Sequence, residues 1–198
     1  MNIRNKVDNA VREFVLNIST RGVSPSDPDH PENIHYGTVS YSTIERILDH
    51  LNLGPSDVFV DLGCGKGRVL CCAARRQIGE AIGVEYAPEH SEVAERNAVR
   101  LRGRRSPIRV LPISVQEFDF TTGTVFYMFH PFGPNLLREV VDKIHDGWMR
   151  NRRGIRVVYV NPVHEDVLRG NGWIGEYERW EPAGNGFPEQ PVSFWRTK

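Results

Sequence analysis

Apolar residues along this chain recur at two periods, near 3.6 and near 2, and each change of period marks a change of element. Over residues 3–18, Val7, Val11, Phe14, Val15 and Ile18 fall three and four apart, which predicts an amphipathic lead helix with that face to bury, as a lid or a dimer face. Ser24-Pro25-Ser26-Asp27-Pro28-Asp29-His30-Pro31 then places three prolines in a polar stretch that sustains neither helix nor central strand, so it reads as a loop. Ser42-Thr43-Ile44-Glu45 has the form of a capping box, and Ile44, Ile47, Leu48 and Leu51 follow on one face, predicting a helix over 43–51 that Gly54-Pro55 stops.

Beyond this point short apolar runs alternate with amphipathic segments. Strands are predicted at 58–61, 81–85, 108–113, 124–129 and 155–160, with helices at 67–77, 88–102 and 134–149 and a short one near 163–169. Near-continuous apolar runs such as Val58-Phe59-Val60 and Val157-Val158-Tyr159-Val160 suit strands buried on both faces of a mostly parallel sheet. Two last strands, near 173–180 and 191–196, leave little room for a helix between them and predict an antiparallel hairpin. The fold class expected is α/β: a doubly wound, mostly parallel seven-stranded sheet with helices on both faces and a C-terminal antiparallel hairpin. Residues 1–40 form an N-terminal helix and lid-like loop, and 41–198 the single domain.

Composition narrows the picture little. With 25 Lys and Arg against 25 Asp and Glu, no global field points to nucleic acid, membrane or a strongly charged partner. Cys64, Cys71 and Cys72 contain no Cys-x-x-Cys, which argues against a disulfide framework or zinc site and fits a reducing cytoplasm. No apolar run reaches the roughly 18 residues needed to span a bilayer. No metal site is expected.

Chemistry concentrates at Asp61-Leu62-Gly63-Cys64-Gly65-Lys66-Gly67, between a strand and a helix, where open α/β sheets bind ligands. Glycines there allow tight, positive-φ turns and let backbone lie directly against a ligand. The spacing is Gly-x-Gly-x-Gly rather than the Gly-x-Gly-x-x-Gly of dinucleotide binders, which disfavours a nicotinamide cofactor. The acid before the turn suits an ammonium group and would repel a pyrophosphate. Glu85 closes the second strand 24 residues later, where a carboxylate can accept hydrogen bonds from two adjacent ribose hydroxyls.

Asp-Leu-Gly-Cys-Gly-Lys-Gly followed at that distance by Gly-Val-Glu resembles motifs I and II of the class I S-adenosylmethionine (SAM)-dependent methyltransferases, over roughly residues 40–198. The resemblance implies SAM as cofactor and S-adenosylhomocysteine (SAH) as product. It places Asp61 on the methionine amino group, Gly63 and Gly65 beneath the cofactor and Glu85 on the ribose. Ser114 stands where that family often has an acid near the adenine amino group; Val115 is a candidate to pack on the purine and Gln116 to supply a hydrogen bond, while a strand cap explains Ser114 equally well. Cys64 reads as a small filler, since nothing near it in sequence would lower its pKa.

Thr124-Val125-Phe126-Tyr127-Met128-Phe129-His130-Pro131-Phe132-Gly133-Pro134 runs from an apolar strand into a stiff turn at the position of motif IV. It is similar to the Asn-Pro-Pro-Phe and Asn-Pro-Phe tetrads of amino-group methyltransferases, with His130 in place of Asn. A histidine there is a candidate catalytic base or orienting group, and a strand-end His bonded to backbone is the plainer alternative. Upstream, His35-Tyr36-Gly37-Thr38-Val39-Ser40-Tyr41-Ser42 resembles the segment preceding motif I in Dot1-like protein-lysine methyltransferases, which makes Tyr36, Thr38 and Ser40 cofactor-binding candidates although its proline is missing.

The methyl acceptor is accordingly a nitrogen or oxygen nucleophile, on a protein lysine or a small molecule. Arginine runs at 96–109 and 150–156 would suit a nucleic-acid substrate, but cations at helix C-termini are commonly just solvated charges favouring the helix dipole. A non-catalytic SAM-binding or partner-binding module is the other alternative. Trp173, Tyr177, Trp180, Phe187, Phe194 and Trp195 form a hairpin core, with Phe187 in a loop positioned to border the acceptor pocket.

Overall fold

The computed structural model describes residues 3–22, 37–182 and 188–198. Seven strands form one sheet: β1 (Val58–Leu62), β2 (Glu80–Val84), β3 (Ile108–Leu111), β4 (Val125–Phe129), β5 (Arg156–Val160), β6 (Ile174–Trp180) and β7 (Val192–Thr197). Their order is β3-β2-β1-β4-β5-β7-β6. The first five are parallel, and β7 runs antiparallel to both β5 and β6. The chain reverses its winding between β1 and β4, which opens the crevice at their carboxyl ends where α/β folds hold ligands.

Helices α1 (Ile3–Leu16), α2 (Tyr41–Leu51), α3 (Arg68–Ala73), α4 (Pro88–Arg100), α5 (Pro134–Asn151) and α6 (Asp166–Arg169) are joined by a 3-10 turn, Val115–Glu117. Strand alternation feeds two cores. Phe59, Tyr127, Val158 and Phe194 face Ile44, Ile47 and Leu70 of α2 and α3. Val60, Phe126, Val157 and Trp195 face Leu137, Val140 and Ile144 of α5 on the other side. The expected doubly wound sheet with its terminal hairpin is therefore what the chain builds. The hairpin is not simply appended: β7 inserts beside β5 and leaves β6 as the edge strand.

Three local expectations change. Helix α2 begins at Tyr41, and Ser40 rather than Ser42 caps it, its Oγ accepting from Thr43 N at 3.3 Å. Glu45 instead turns to the end of α3, where it pairs with Arg76 at 2.5 Å. Helix α3 closes after Ala73, short of residue 77. Of the predicted apolar face, Ile18, just past the end of α1, is buried, but Val7, Val11, Phe14 and Val15 are exposed, Phe14 by 81%, while Asn9, Glu13 and Leu16 point inward. A buried glutamate must be paired to be tolerated, and the partner that turns the helix over is Arg68 of α3, 3.2 Å away. Among the described residues, no helix is long and apolar enough to cross a membrane.

Candidate functional site

The glycine-rich turn folds over the end of β2. Gly63 and Cys64 both donate their N–H to the Val84 carbonyl, at 2.9 and 3.0 Å. Gly63, Gly65 and Gly67 have φ of +75°, +52° and +76°, a region that side-chain-bearing residues rarely adopt. Glu85 props the loop from below, its Oε2 accepting from Gly65 N and its Oε1 from Ala87 N, each at 2.9 Å. A carboxylate offers about four lone-pair sites, so it can receive a hydroxyl besides its backbone donors. Burial pushes the Glu85 carboxyl upward, against the backbone N–H groups of Ala87, Gly65 and Tyr86 that favour its charge.

Asp61, one residue before the end of β1, stands near Glu85 and is almost fully buried. Burial first, and then the neighbouring Glu85 charge, push its carboxyl up to about 8. Among the described residues its Oδ2 has no hydrogen-bond partner. A buried, unsatisfied carboxylate oxygen is costly, and a cation arriving from the crevice would relieve it. Cys64 fills space as expected: a Cβ on Gly83 would lie 2.7 Å from its Sγ, and burial holds its thiol well above the ordinary range.

At the end of β4 the chain turns sharply. His130 has φ of +38° and donates its N–H to the Val160 carbonyl at 3.1 Å, which locks the turn onto β5. Its Nδ1 lies 3.4 Å from the Tyr159 hydroxyl, and its ring centroid 5.4 Å from that of His164. Left-handed geometry at a non-glycine residue costs on the order of 1 kcal/mol or more and persists where surrounding contacts impose it. Pro131, the next residue, rests on the glycine loop, since a Cβ on Gly63 would come within 2.9 Å of the proline Cβ. Motifs from β1 and β4 thus meet directly.

Other expected site residues are placed unevenly. Ser114 caps the 3-10 turn, accepting from Gln116 N at 3.3 Å, and Val115 is buried in the core. The Gln116 amide donates to Glu139 on α5 at 2.7 Å, which commits it to that helix. Gly37 approaches Phe129 at the end of β4, bringing the segment that carries Thr38 and Ser40 across the crevice. Ser40 itself is occupied as the helix cap. Tyr36 and Phe187 lie outside the described residues, as do much of loops 24–41 and 181–190.

Sequence reasoning missed Arg68. It follows the glycine turn, is buried, and donates to Thr20 Oγ1, the Val39 carbonyl and Glu13 Oε1 at 2.7, 3.1 and 3.2 Å. An arginine at the first position of a helix gives no local sign that it will be buried, because its partners come from residues 29 to 55 positions earlier.

The arrangement fits SAM. The unsatisfied Asp61 oxygen suits the methionine ammonium, Glu85 the vicinal ribose hydroxyls, and the left-handed glycines the close passage of a ligand over backbone. Comparison with known proteins agrees. The family described as Histone methylation protein DOT1 matches residues 30–126. The "Histone-lysine N-methyltransferase, H3 lysine-79 specific" of Caenorhabditis elegans is 39% identical over 61 residues, covering 30% of this chain and 6% of that protein. The "Protein-lysine N-methyltransferase" of Saccharolobus islandicus is 28% identical over 140 residues, 70% of this chain and 80% of the relative. The chain thus spans only a small fraction of the nematode protein's length and most of the archaeal one. Among solved structures, an RNA methyltransferase from Salinibacter ruber in complex with SAH superposes with a TM-score of 0.61 at 21% identity, covering 81% of this chain and 94% of that one. In its strand order and its glycine loop, the chain has the fold of the class I SAM-dependent methyltransferases.

Proposed function

We propose that this chain transfers the methyl group of SAM to an amino nitrogen, in the first place the ε-amino group of a protein lysine, with His130 beside the acceptor. The observation that carries the reading is the meeting of two elements: Asp61 Oδ2 and Glu85 beneath the glycine loop, and the His130-Pro131 turn seated on Gly63. The match to the DOT1 family and the protein-lysine methyltransferase relatives support the choice of lysine.

Bound SAM supplies an electrophilic methyl carbon on a sulfonium, and its displacement leaves SAH. The chain's own task is to align a neutral nitrogen with that carbon, exclude water and take up a proton. In the His130 tautomer whose Nδ1–H faces the Tyr159 oxygen, 3.4 Å away, it is Nε2 that would accept a hydrogen from the amine. Asp61 holds the ammonium, Glu85 the ribose, and Val115 the purine face, with Thr38 on the segment that crosses the crevice. Loop 131–135 borders the acceptor. Three buried free cysteines suit a reducing compartment such as the cytoplasm.

The test is an acceptor screen with methyl-labelled SAM on fractionated cell extract, followed by hydrolysis of the labelled product. Label recovered as methyl-lysine is expected. Label in nucleic acid or in small metabolites would overturn the acceptor, and SAH binding without turnover on any fraction would favour a non-catalytic module.

A further inference from the structure

The end of the glycine turn, Lys66-Gly67-Arg68, does more than close a cofactor loop. Arg68 is 4% exposed, and its guanidinium is shared among three segments that precede the sheet: Glu13 of α1, Thr20 of the strap 17–22, and Val39 of the segment 37–40. Its Cζ also lies 4.7 Å from the Tyr41 ring centroid, at the start of α2. Glu13 is held by Thr20 and Arg21 as well, at 2.6 and 2.7 Å. Burial alone would raise the Glu13 carboxyl, but those hydrogen bonds and the Arg68 charge outweigh it and hold it below the ordinary range.

A second set of bonds joins the same strap to the turn itself. Lys66 Nζ donates to the Arg21 carbonyl at 2.8 Å. Asn97 of α4 brackets Ser19, accepting from its N–H and donating to its carbonyl at 2.9 Å each, and donates to the Lys66 carbonyl at 2.8 Å. Taking an arginine and a glutamate out of water is costly, and a well-packed apolar pair often stabilises a fold as well. What the ion pair adds is direction: a planar fork of donors that fixes three chain segments at once relative to Gly67.

We propose that Arg68 is a positioning residue that couples cofactor occupancy to the docking of α1, the strap 17–22 and the segment 37–40. The inference rests on SAM binding at the glycine turn and goes beyond it, because it assigns a linkage between that turn and a region outside the sheet. Coupling is reciprocal: if docking these segments favours the cofactor, the cofactor must favour their docking by the same factor.

The experiment combines SAH calorimetry with hydrogen exchange on the full chain. In the wild type, SAH should slow exchange in peptides covering 17–22 and 37–40 more than in β6 and β7, far from the turn. Arg68→Met should weaken SAH by about 5- to 150-fold, the usual span of such couplings, and abolish the SAH-dependent protection of both peptides. Arg68→Lys keeps the charge facing Glu13 but not the fork, so it should recover thermal stability while leaving SAH affinity and KM for SAM impaired more than kcat. A purely structural arginine would instead be rescued in affinity and stability together by lysine. Should Arg68→Met not fold, Arg68→Lys and Glu13→Gln carry the comparison. SAH affinity within threefold of wild type in folded variants, or SAH-independent exchange at 17–22 and 37–40, overturns the proposal alone. A wild-type chain that binds no SAH overturns the cofactor reading with it.

Discussion

Gly63 and Pro131 are packed together: a methyl group placed on Gly63 would lie 2.9 Å from the proline Cβ, so the glycine turn and the His130-Pro131 turn share one van der Waals surface. Gly63 also sits at φ +75°. Gly63→Ala should therefore lower stability by about 1–3 kcal/mol through strain and overlap, and weaken SAH at least tenfold by displacing either turn. Gly54→Ala is the control, since nothing lies within 4 Å of a Cβ there. Thermal melts and SAH titration of the two variants should separate clearly.

Asp61 predicts a pH dependence with a definite sign. Its carboxyl, ordinarily near 3.8, is pushed up to about 8 by burial and by Glu85, so near neutrality it carries a proton in the free protein. Pairing with an ammonium requires the ionised form. SAH affinity should rise with pH, approaching tenfold per unit below pH 8, with close to one proton released on binding at pH 7. Because the folded state holds this proton more tightly than the unfolded one, Asp61 lowers stability progressively from about pH 4 to 8. Asp61→Asn should raise the Tm of the free protein at pH 8 and leave it little changed at pH 4, while abolishing measurable SAH binding. Calorimetry in buffers of different ionisation heat reads the proton count directly.

His130→Ala should lower kcat by about 100-fold or more while keeping SAH affinity within about threefold, the pattern of a group acting on the reaction and not on cofactor binding. His130→Asn should recover part of the rate only if orientation, not proton uptake, is the role. Tyr159→Phe removes the hydroxyl 3.4 Å from Nδ1 and should reduce kcat by a smaller factor than the loss of the imidazole. A fully active His130→Ala variant would withdraw the assignment.

On α1, the exposed and inward faces should respond oppositely. Phe14→Ser should change stability by no more than about 0.5 kcal/mol, as for a surface site. Leu16→Ala, in the core, should cost about 2–5 kcal/mol. Urea melts of both variants check this; a large loss at Phe14 would mean that its face is covered in solution.

How much of this was legible beforehand follows the range of the forces involved. Periodicity reports which face of an element differs from the other, and it predicted all seven strands and the doubly wound order of helices, because apolar runs and turn residues act within a few positions. Asp61 and Glu85 were legible for the same reason: each stands next to the end of a strand, and parallel pairing of β1 with β2 sets both at the same end of the sheet. Periodicity does not name the partner of a face. On α1 the longest apolar stripe faces outward, because Arg68 needs a buried anion and Glu13 is the residue that reaches it. Ser40 displaced Ser42 as the cap of α2, and Gln116 turned to Glu139, through contacts that depend on neighbouring segments. The left-handed His130 was equally hidden: its conformation is held by a hydrogen bond to Val160, thirty positions on, which exists only once β4 and β5 are paired. Tertiary structure decided those points because burying a charge or straining a residue is tolerated only when distant groups arrive to compensate it.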